Sequence, residues 1–144
     1  MKKYFLLNLL CIVFSLNGQT FKNLNIKDGL PSSIIYDLKL DKQNRIWIAT
    51  FGGGISVYDG NSFKTINQDN GLNTDLIRCL YVDTIENSIY VGAQGALDLI
   101  KKDTIINLSK VYKDTVAPNV VYLNKFNKNE LVVSNHNGVF IYKN

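Results

Sequence analysis

The sequence has few of the residues on which small cross-linked or metal-bound domains depend. Its 144 residues include two cysteines and one histidine, which excludes a disulfide framework and a zinc site built from Cys and His. Prolines number two and charged residues only 19%, which argues against a disordered chain. A hydrophobic content of 46% instead indicates one folded domain with a buried core. We expect no cofactor and no metal ion.

The chain also lacks an apolar run long enough to cross a bilayer as a helix, which takes about 20 residues. Its longest run covers residues 4–16, follows Lys2 and Lys3, and leads into small and polar residues. This pattern is typical of a secretory signal peptide. We therefore predict a signal peptide over residues 1–18, cleaved after Gly18. The mature chain, residues 19–144, would have no membrane span and would be periplasmic or secreted.

Basic residues form no patch of the kind that binds nucleic acid. The net charge of +4 includes Lys2 and Lys3, and no cluster of Lys or Arg with interleaved aromatics follows. We therefore expect no nucleic-acid partner. Cys11 would leave with the signal peptide, and Cys79 lies on an apolar stretch, residues 76–82. Its surroundings favour a small buried hydrophobe over a nucleophile.

A unit of 42 residues recurs along the chain. Gly29 and Leu30 are followed 42 positions later by Gly71 and Leu72. The other pairs with this offset are Leu38 with Leu80, Asp41 with Asp83, Ile55 with Leu97 and Val57 with Leu99. A fainter third unit places Leu131, Val133, Val139 and Ile141 42 positions after Ile89, Val91, Leu97 and Leu99. Self-similarity at this spacing predicts a repeat architecture.

Each unit contains short β-branched or aromatic runs bounded by turn residues, which predicts strands rather than helices. The first unit gives strands at 34–41, 45–50, 55–59 and 63–67, and the second at 76–82, 88–93, 97–101 and 104–108. The third gives strands at 119–124, 130–134 and 139–142 only. No useful run of 3.6-residue apolar periodicity follows the signal peptide, so we expect almost no helix.

A four-stranded unit repeated every 40-odd residues is typical of a β-propeller blade. We predict an all-β fold, an incomplete β-propeller of about three four-stranded antiparallel blades at residues 27–67, 70–108 and 112–144. Aromatics at one repeat position should pack between blades, repeated carboxylates should accept turn hydrogen bonds, and a glycine run should permit positive φ. The residues given these structural roles are Trp47 and Tyr90, Asp41 and Asp83, and Gly53 and Gly54.

The first unit resembles a known family, the two-component regulator propeller repeat of exported sensor regions in hybrid and other histidine kinases of Bacteroidetes-type bacteria. The matching residues are Gly29, Leu30, Pro31, Asp41, Ile46, Trp47, Ile48, Thr50, Gly53, Gly54 and Ile55. Ala49 stands where the family usually has glycine. The second unit fits more loosely, with Tyr90 in place of the tryptophan and Asn73 in place of the proline.

The resemblance implies an extracytoplasmic, ligand-sensing propeller fragment that takes part in signal transduction. Closed propellers need four to eight blades, so three units predict the N-terminal piece of a longer sensor. Its partners would be the remaining blades or a downstream sensor kinase polypeptide. In the family, the segment equivalent to residues 21–26, from Phe21 to Ile26, is the outer strand that closes the ring. Uncovered blade faces should make the purified mature protein associate.

No catalytic arrangement is apparent in the sequence. A Ser-His-Asp triad would need His136, which lies in an Asn-His-Asn-Gly segment that predicts a turn between strands. Asp41 and Asp83 share one repeat position, whereas glycosidase acids would occupy unlike positions facing one cleft. The segment from Asp41 to Asn44 lacks the closely spaced oxygens that calcium requires. We therefore predict that the chain is not an enzyme.

Ligand binding is the remaining class of activity. In a propeller, the loops before the first strand and between the second and third strands lie on one face. Candidate ligand-binding residues on this face are Ser32, Ser33, Phe51, Asn73, Thr74, Gln94, Asn119 and His136, with Asp28, Pro31 and Asp75 beside them. Their hydroxyls and amides, with Phe51 as a stacking surface, suit an oligosaccharide or another small ligand. A secreted binding or interaction protein and a polysaccharide-active propeller enzyme stay open as alternatives.

Overall fold

The computed structural model describes residues 21–102, 104–111 and 119–143. Within them the chain forms three antiparallel sheets in sequence order. The first sheet contains β1 (Ile35–Leu40), β2 (Ile46–Thr50), β3 (Ile55–Tyr58) and β4 (Phe63–Ile66). The second contains β5 (Ile77–Asp83), β6 (Ser88–Ala93), β7 (Ala96–Lys101) and β8 (Thr104–Asn107). The third contains β9 (Tyr122–Asn127), β10 (Glu130–Asn135) and β11 (Gly138–Lys143). The predicted all-β fold of repeated sheets is confirmed.

Each sheet is a meander in which neighbours in sequence are neighbours in the sheet. The first strands lie side by side, with β1 beside β5 and β5 beside β9, as expected for blades whose inner strands face a common axis. The strand bounds agree with the sequence prediction within about two residues, except that β9 begins and ends three residues later than predicted. A short helix, α1 (Leu108–Val111), follows β8. The seryl hydroxyl of Ser109 in α1 accepts a hydrogen bond from the backbone N–H of Leu97.

The core lies between the blades. Apolar side chains of the first and second blades, including Trp47, Ile55 and Val91, form one buried cluster. A second cluster between the second and third blades contains Tyr90 and Val133. Both faces of the second sheet are therefore covered, which explains why its strands are apolar at successive positions rather than alternating.

Two matching 3-10 turns mark the repeat. Asn25 stands at the N-cap of the turn at Ile26–Asp28 and Asn67 at the N-cap of the turn at Gln68–Asn70, and each turn ends at a glycine with a φ close to 105°. Glycine adopts this left-handed conformation without the steric cost that a Cβ would add. The two turns are 42 residues apart, as the sequence repeat predicts.

Residues 21–26, predicted as the outer strand of a closing blade, form no strand within the described chain, and their role in closing a ring stays a prediction. Residues 21–25 lie outside any strand, and Ile26 begins the first 3-10 turn. A strand needs a neighbour for its backbone hydrogen bonds, and the segment pairs with no strand in the described part of the chain. Leu24 instead packs against a small cluster on the outer face of the first blade, which contains Leu30, Ile48 and Tyr58.

Apolar side chains remain exposed at both ends of the three-blade stack. On the first blade, Leu38 pairs with Ile48 and Leu40 with Ile46, so the two leucines share the outer face of the sheet. They are 55% and 61% exposed. On the third blade, Val139 and Ile141 are also exposed. Apolar faces of this kind are typical of surfaces that pack against another sheet or another molecule.

We expect the mature chain to associate through these faces. Changing both Leu38 and Leu40 to Lys adds two charges to the exposed face of β1 and should lower the mean mass measured by light scattering. Ile85→Lys is the matched control, because Ile85 is an exposed apolar residue in a turn rather than on a sheet face. A compact, monodisperse monomer of the unmodified chain would contradict this expectation.

Candidate functional site

The predicted binding loops meet at one end of the blades, here called the loop rim and made of residues 31–34, 51–54, 73–76 and 94–95. Backbone hydrogen bonds tie these loops together. The N–H groups of Gly52 and Gly54 in the first blade both donate to the carbonyl oxygen of Asp75 in the second, at 3.0 Å. Leu76 forms a β-bridge with Phe51 and accepts a hydrogen bond from the N–H of Gln94. The loop rim is therefore a backbone-linked surface that spans two blades.

Several predicted ligand-binding residues have side chains that are already engaged within the loop rim. The Ser32 hydroxyl donates to the carbonyl oxygen of Phe51 and accepts from the N–H of Ile34. Thr74, 42 residues later, accepts from the N–H of Leu76 in the same way. Asn73 donates from both its backbone and its side-chain amide to Asp98, whose side chain is fully buried. These groups hold the loops in place.

The other predicted residues lie around the same end of the blades but are not brought into one cluster. Ser33 is exposed in the loop before β1, and Gln94 is exposed in the turn between β6 and β7. His136 is exposed in the turn between β10 and β11. Asn119 has a φ of 53° and lies just before Val120, whose N–H donates to the carbonyl of Ala93. Their role in ligand binding stays a prediction.

A cation held against two aromatic rings is the principal feature that the sequence did not reveal. The guanidinium carbon of Arg78 lies 5.4 Å from the centre of the Tyr36 ring and 5.6 Å from that of Phe51. The two rings meet edge to face at 5.6 Å. The Nε of Arg78 is buried and has no hydrogen-bond acceptor among the described residues. We call Tyr36, Phe51 and Arg78 the arginine stack.

Two β-bulges position the arginine stack. The register of β1 with β2 shifts between Ile35 and Asp37, and that of β5 with β6 shifts between Ile77 and Cys79. Tyr36 and Arg78 are the extra residues, 42 positions apart, and a bulge redirects the side chain at such a position. Neither bulge has a sequence signature here, although the repeat spacing alone identifies Tyr36 and Arg78 as equivalent positions.

The two repeated aspartates lie at the opposite end of the blades from the loop rim. Asp41 is buried and accepts hydrogen bonds from the backbone N–H groups of Gln43 and Arg45, and from the Trp47 indole at 2.8 Å. The Nε of Arg45 lies 2.7 Å from the same carboxylate. Burial by itself would raise the pKa of Asp41, but these donors outweigh it and lower the pKa below its usual value.

Asp83 occupies the equivalent place in the second blade with a different set of partners. It accepts from the N–H groups of Ile85 and Glu86 and forms an ion pair with Lys125 of the third blade at 2.5 Å. Burial would raise its pKa, and Lys125 with the two backbone donors lowers it. The Nζ of Lys125 also lies 5.8 Å from the centre of the Tyr90 ring. At both repeated aspartates, the carboxylate therefore pairs with a cation that also lies over an aromatic ring.

The remaining titratable candidates offer little chemistry. Cys79 is buried, and burial, with the nearby charge of Asp37, raises the pKa of its thiol to about 12. A thiol with this pKa is almost entirely protonated at neutral pH and is a poor nucleophile. Within the described ranges, no three His, Cys, Asp or Glu side chains are grouped closely enough to hold a metal ion.

Comparison with known proteins agrees with this geometry. Residues 29–52, from the glycine that ends the first 3-10 turn through β2, match the model of the family described as two component regulator propeller. The resemblance to this family is therefore confirmed. The matched repeat includes Asp41 and Trp47, which are hydrogen-bonded to each other. It also includes Tyr36 and Phe51 of the arginine stack. No curated protein gives a significant match.

Three solved structures with the same fold are extracellular domains from B. thetaiotaomicron. The domain of BT3049, described as a hybrid two component system, gives a TM-score of 0.66 at 23% identity, over 85% of this chain and 16% of that one. Two structures of the BT4673 domain, described as a one component and as a hybrid two component system, each give a TM-score of 0.67. The first of these structures is 17% identical over 89% of this chain, and the second is 19% identical over 91% of this chain. Each alignment covers 18% of the solved chain. The chain thus spans less than a fifth of the structures that it matches.

Two expectations concern parts of the chain that the structure does not describe or describes only in part. The predicted signal peptide, residues 1–18, lies outside the described residues, as do residues 112–118 at the start of the third predicted blade. Among the helices that the structure does describe, none has the length and apolar character of a membrane span.

Proposed function

We propose that this chain is the blade region of an extracytoplasmic sensor that binds a small ligand, an oligosaccharide, at the loop rim. In this proposal, ligand occupancy is passed to a kinase, and the partners are further propeller blades or a sensor kinase polypeptide. Three findings support it: the match to the two component regulator propeller family, the extracellular domains that share the fold, and the signal-peptide pattern of residues 1–18.

The observation that carries the proposal is the arginine stack. Arg78 is half-buried beside the two rings, so its guanidinium can donate charge-assisted hydrogen bonds to the oxygens of a ligand bound there. Tyr36 and Phe51 offer aromatic faces beside it, and aromatic faces with a few polar donors are typical of small-ligand sites. Hydroxyl-rich rings provide both kinds of contact.

We further propose that the chain acts by binding rather than catalysis. His136, the single histidine, is exposed in a turn, Cys79 is buried, and Asp41 and Asp83 are held by turn and interblade contacts. The alternative of a secreted interaction protein is favoured by one observation, the exposed apolar faces of the first and third blades.

Isothermal titration calorimetry of the mature chain against a panel of oligosaccharides tests the binding proposal. We expect at least one oligosaccharide to bind, and Arg78→Gln to weaken that binding about tenfold, because a charged donor contributes more than a neutral one. Phe51→Leu should also weaken binding, since it removes the aromatic face while keeping an apolar side chain. Lys128→Gln, in the turn between β9 and β10, is the matched control and should bind as the unmodified chain does.

Two outcomes would count against the proposal. A panel without any binder would argue against an oligosaccharide ligand. Equal affinities for the Arg78→Gln variant and the unmodified chain would place the binding site elsewhere. In either case, association through the exposed blade faces would leave the interaction protein as the better supported function.

A further inference from the structure

A cleft of about 360 Å³ opens between the first and second blades, and none of its lining residues belongs to the loop rim. Arg45, in the turn before β2, and Lys102, in the turn after β7, place one end of the cleft opposite the loop rim, and Ile66 and Asn70 extend it along the end of β4. Phe51 and Gln94 follow the other ends of β2 and β6. A smaller cavity adjoins the cleft and shares Arg45 and Lys102 with it. We call this region the basic cleft.

Positive charge dominates the basic cleft. Arg45, Lys64 and Lys102 all line it. Lys64 and Lys102 are exposed and pair with no carboxylate in the part of the chain that the structure describes. The carboxylate of the adjoining cavity, Asp41, is buried and already bound by Arg45 and the Trp47 indole. Two lysines therefore face the cleft with uncompensated charge, which favours an anion there.

Apolar side chains also line the basic cleft. Trp47 lines it together with Ile66, Ile100 and Ile105. Two contacts fix the indole ring, because its Nε1 donates to Asp41 and the Arg45 guanidinium lies 5.8 Å from the ring centre. A fixed indole ring can contact the ring of a ligand without losing side-chain entropy on binding. The cleft volume is at the lower end of the range for small-molecule sites, which leaves room for one or two rings.

We propose that the basic cleft binds a small organic anion that carries a carboxylate or sulfate on a ring. The anionic group would lie at Lys64 and Lys102, and the ring would pack against Trp47 and the isoleucines. The site does not depend on the ligand proposed for the loop rim, since the two regions share no residue.

Tryptophan fluorescence provides a direct test, because Trp47 is the only tryptophan in the chain. The mature chain is titrated with glucuronate and, for comparison, with two other probes. Glucose has a ring without a charge, and inorganic sulfate has a charge without a ring. We expect glucuronate to change the Trp47 emission at a concentration about tenfold lower than either comparison probe. Glucose 6-sulfate, run in parallel, distinguishes a preference for sulfate from one for carboxylate.

Variants separate the basic cleft from the loop rim. Changing Lys64 and Lys102 together to Met keeps the side-chain stems and removes the charges, and should weaken glucuronate binding about tenfold. Lys128→Gln, on the third blade, and Arg78→Gln, in the arginine stack, should leave glucuronate binding unchanged. Circular dichroism verifies that the double variant is folded. Equal responses to glucuronate and glucose, equal responses to glucuronate and sulfate, or no effect of the double substitution would each overturn the proposal.

Discussion

Replacing Gly54 with alanine should destabilise the protein by about 3 kcal/mol, the sum of a strained backbone and a steric overlap. Gly54 has a φ of 73°, a conformation that residues with a Cβ rarely adopt. A Cβ at this position would overlap the carbonyl oxygen of Ile66 and approach Asn67 Cα to 3.0 Å. Both groups belong to backbone at the end of β4, so neither can move without disturbing the sheet.

Gly52→Ala is the matched control for this prediction. Gly52 has a φ of 87°, but a Cβ there would meet nothing within 4 Å. The Gly52→Ala variant therefore introduces only the backbone strain, and we expect it to lower the free energy of unfolding by about 1 kcal/mol. Urea unfolding followed by circular dichroism gives both free energies. Equal losses for the two variants would show that the close approach between Gly54 and β4 has no energetic consequence.

Replacing Asp41 with alanine should also remove about 3 kcal/mol of stability. The substitution leaves the buried Trp47 indole N–H and the N–H groups of Gln43 and Arg45 without their acceptor, and it leaves Arg45 without its partner. Urea unfolding, followed by the fluorescence of Trp47, measures the loss. Asp59→Ala is the control, because Asp59 accepts similar turn hydrogen bonds from Asn61 and Ser62 at an exposed position, where water replaces them readily. We expect a much smaller loss there.

The pH dependence of stability should follow from the same carboxylate. The folded-state pKa of Asp41 is lowered below the usual 3.8, so its contribution is fully present above that value and is lost as the pH falls through the lower folded pKa. The unmodified chain should therefore lose stability progressively below about pH 4. Asp41→Ala should show a shallower loss of stability, though not a flat curve, because the pKa of Asp83 is lowered as well. Parallel curves for the two proteins would contradict the assignment.

The repeated aspartate has different partners in the first and second blades, although its position in the repeat is the same. In the first blade, Arg45 and Trp47 bind Asp41 from within the same sheet. In the second, Tyr90 stands at the tryptophan position and Lys125 of the third blade pairs with Asp83. A contact internal to one blade thereby becomes a contact between two blades, so substituting Asp83 should loosen the packing of the third blade on the second.

The sequence by itself determined the repeat and most of the strands. Regular spacing of Gly29 with Gly71 and of Asp41 with Asp83 fixed the unit, and β-branched runs between turn residues fixed the strand bounds, because both signals are local. The family motif around Trp47 was also evident in the sequence. The conformation of residues 21–26 was not, because a strand depends on a neighbour that a local pattern does not reveal. Asn25 instead caps a 3-10 turn.

Only the tertiary structure decided which side chains meet at a site. The loop positions in the sequence identified the end of the blades where Ser32, Phe51 and Thr74 lie. The polar groups of these residues, however, form hydrogen bonds within the loops. Arg78 reaches Tyr36 and Phe51 because bulges in β1 and β5 redirect equivalent residues of adjacent blades. The basic cleft unites Lys64 of the first blade with Lys102 of the second, residues 38 positions apart. Such pairings arise from how whole sheets pack, a property that no window of sequence contains.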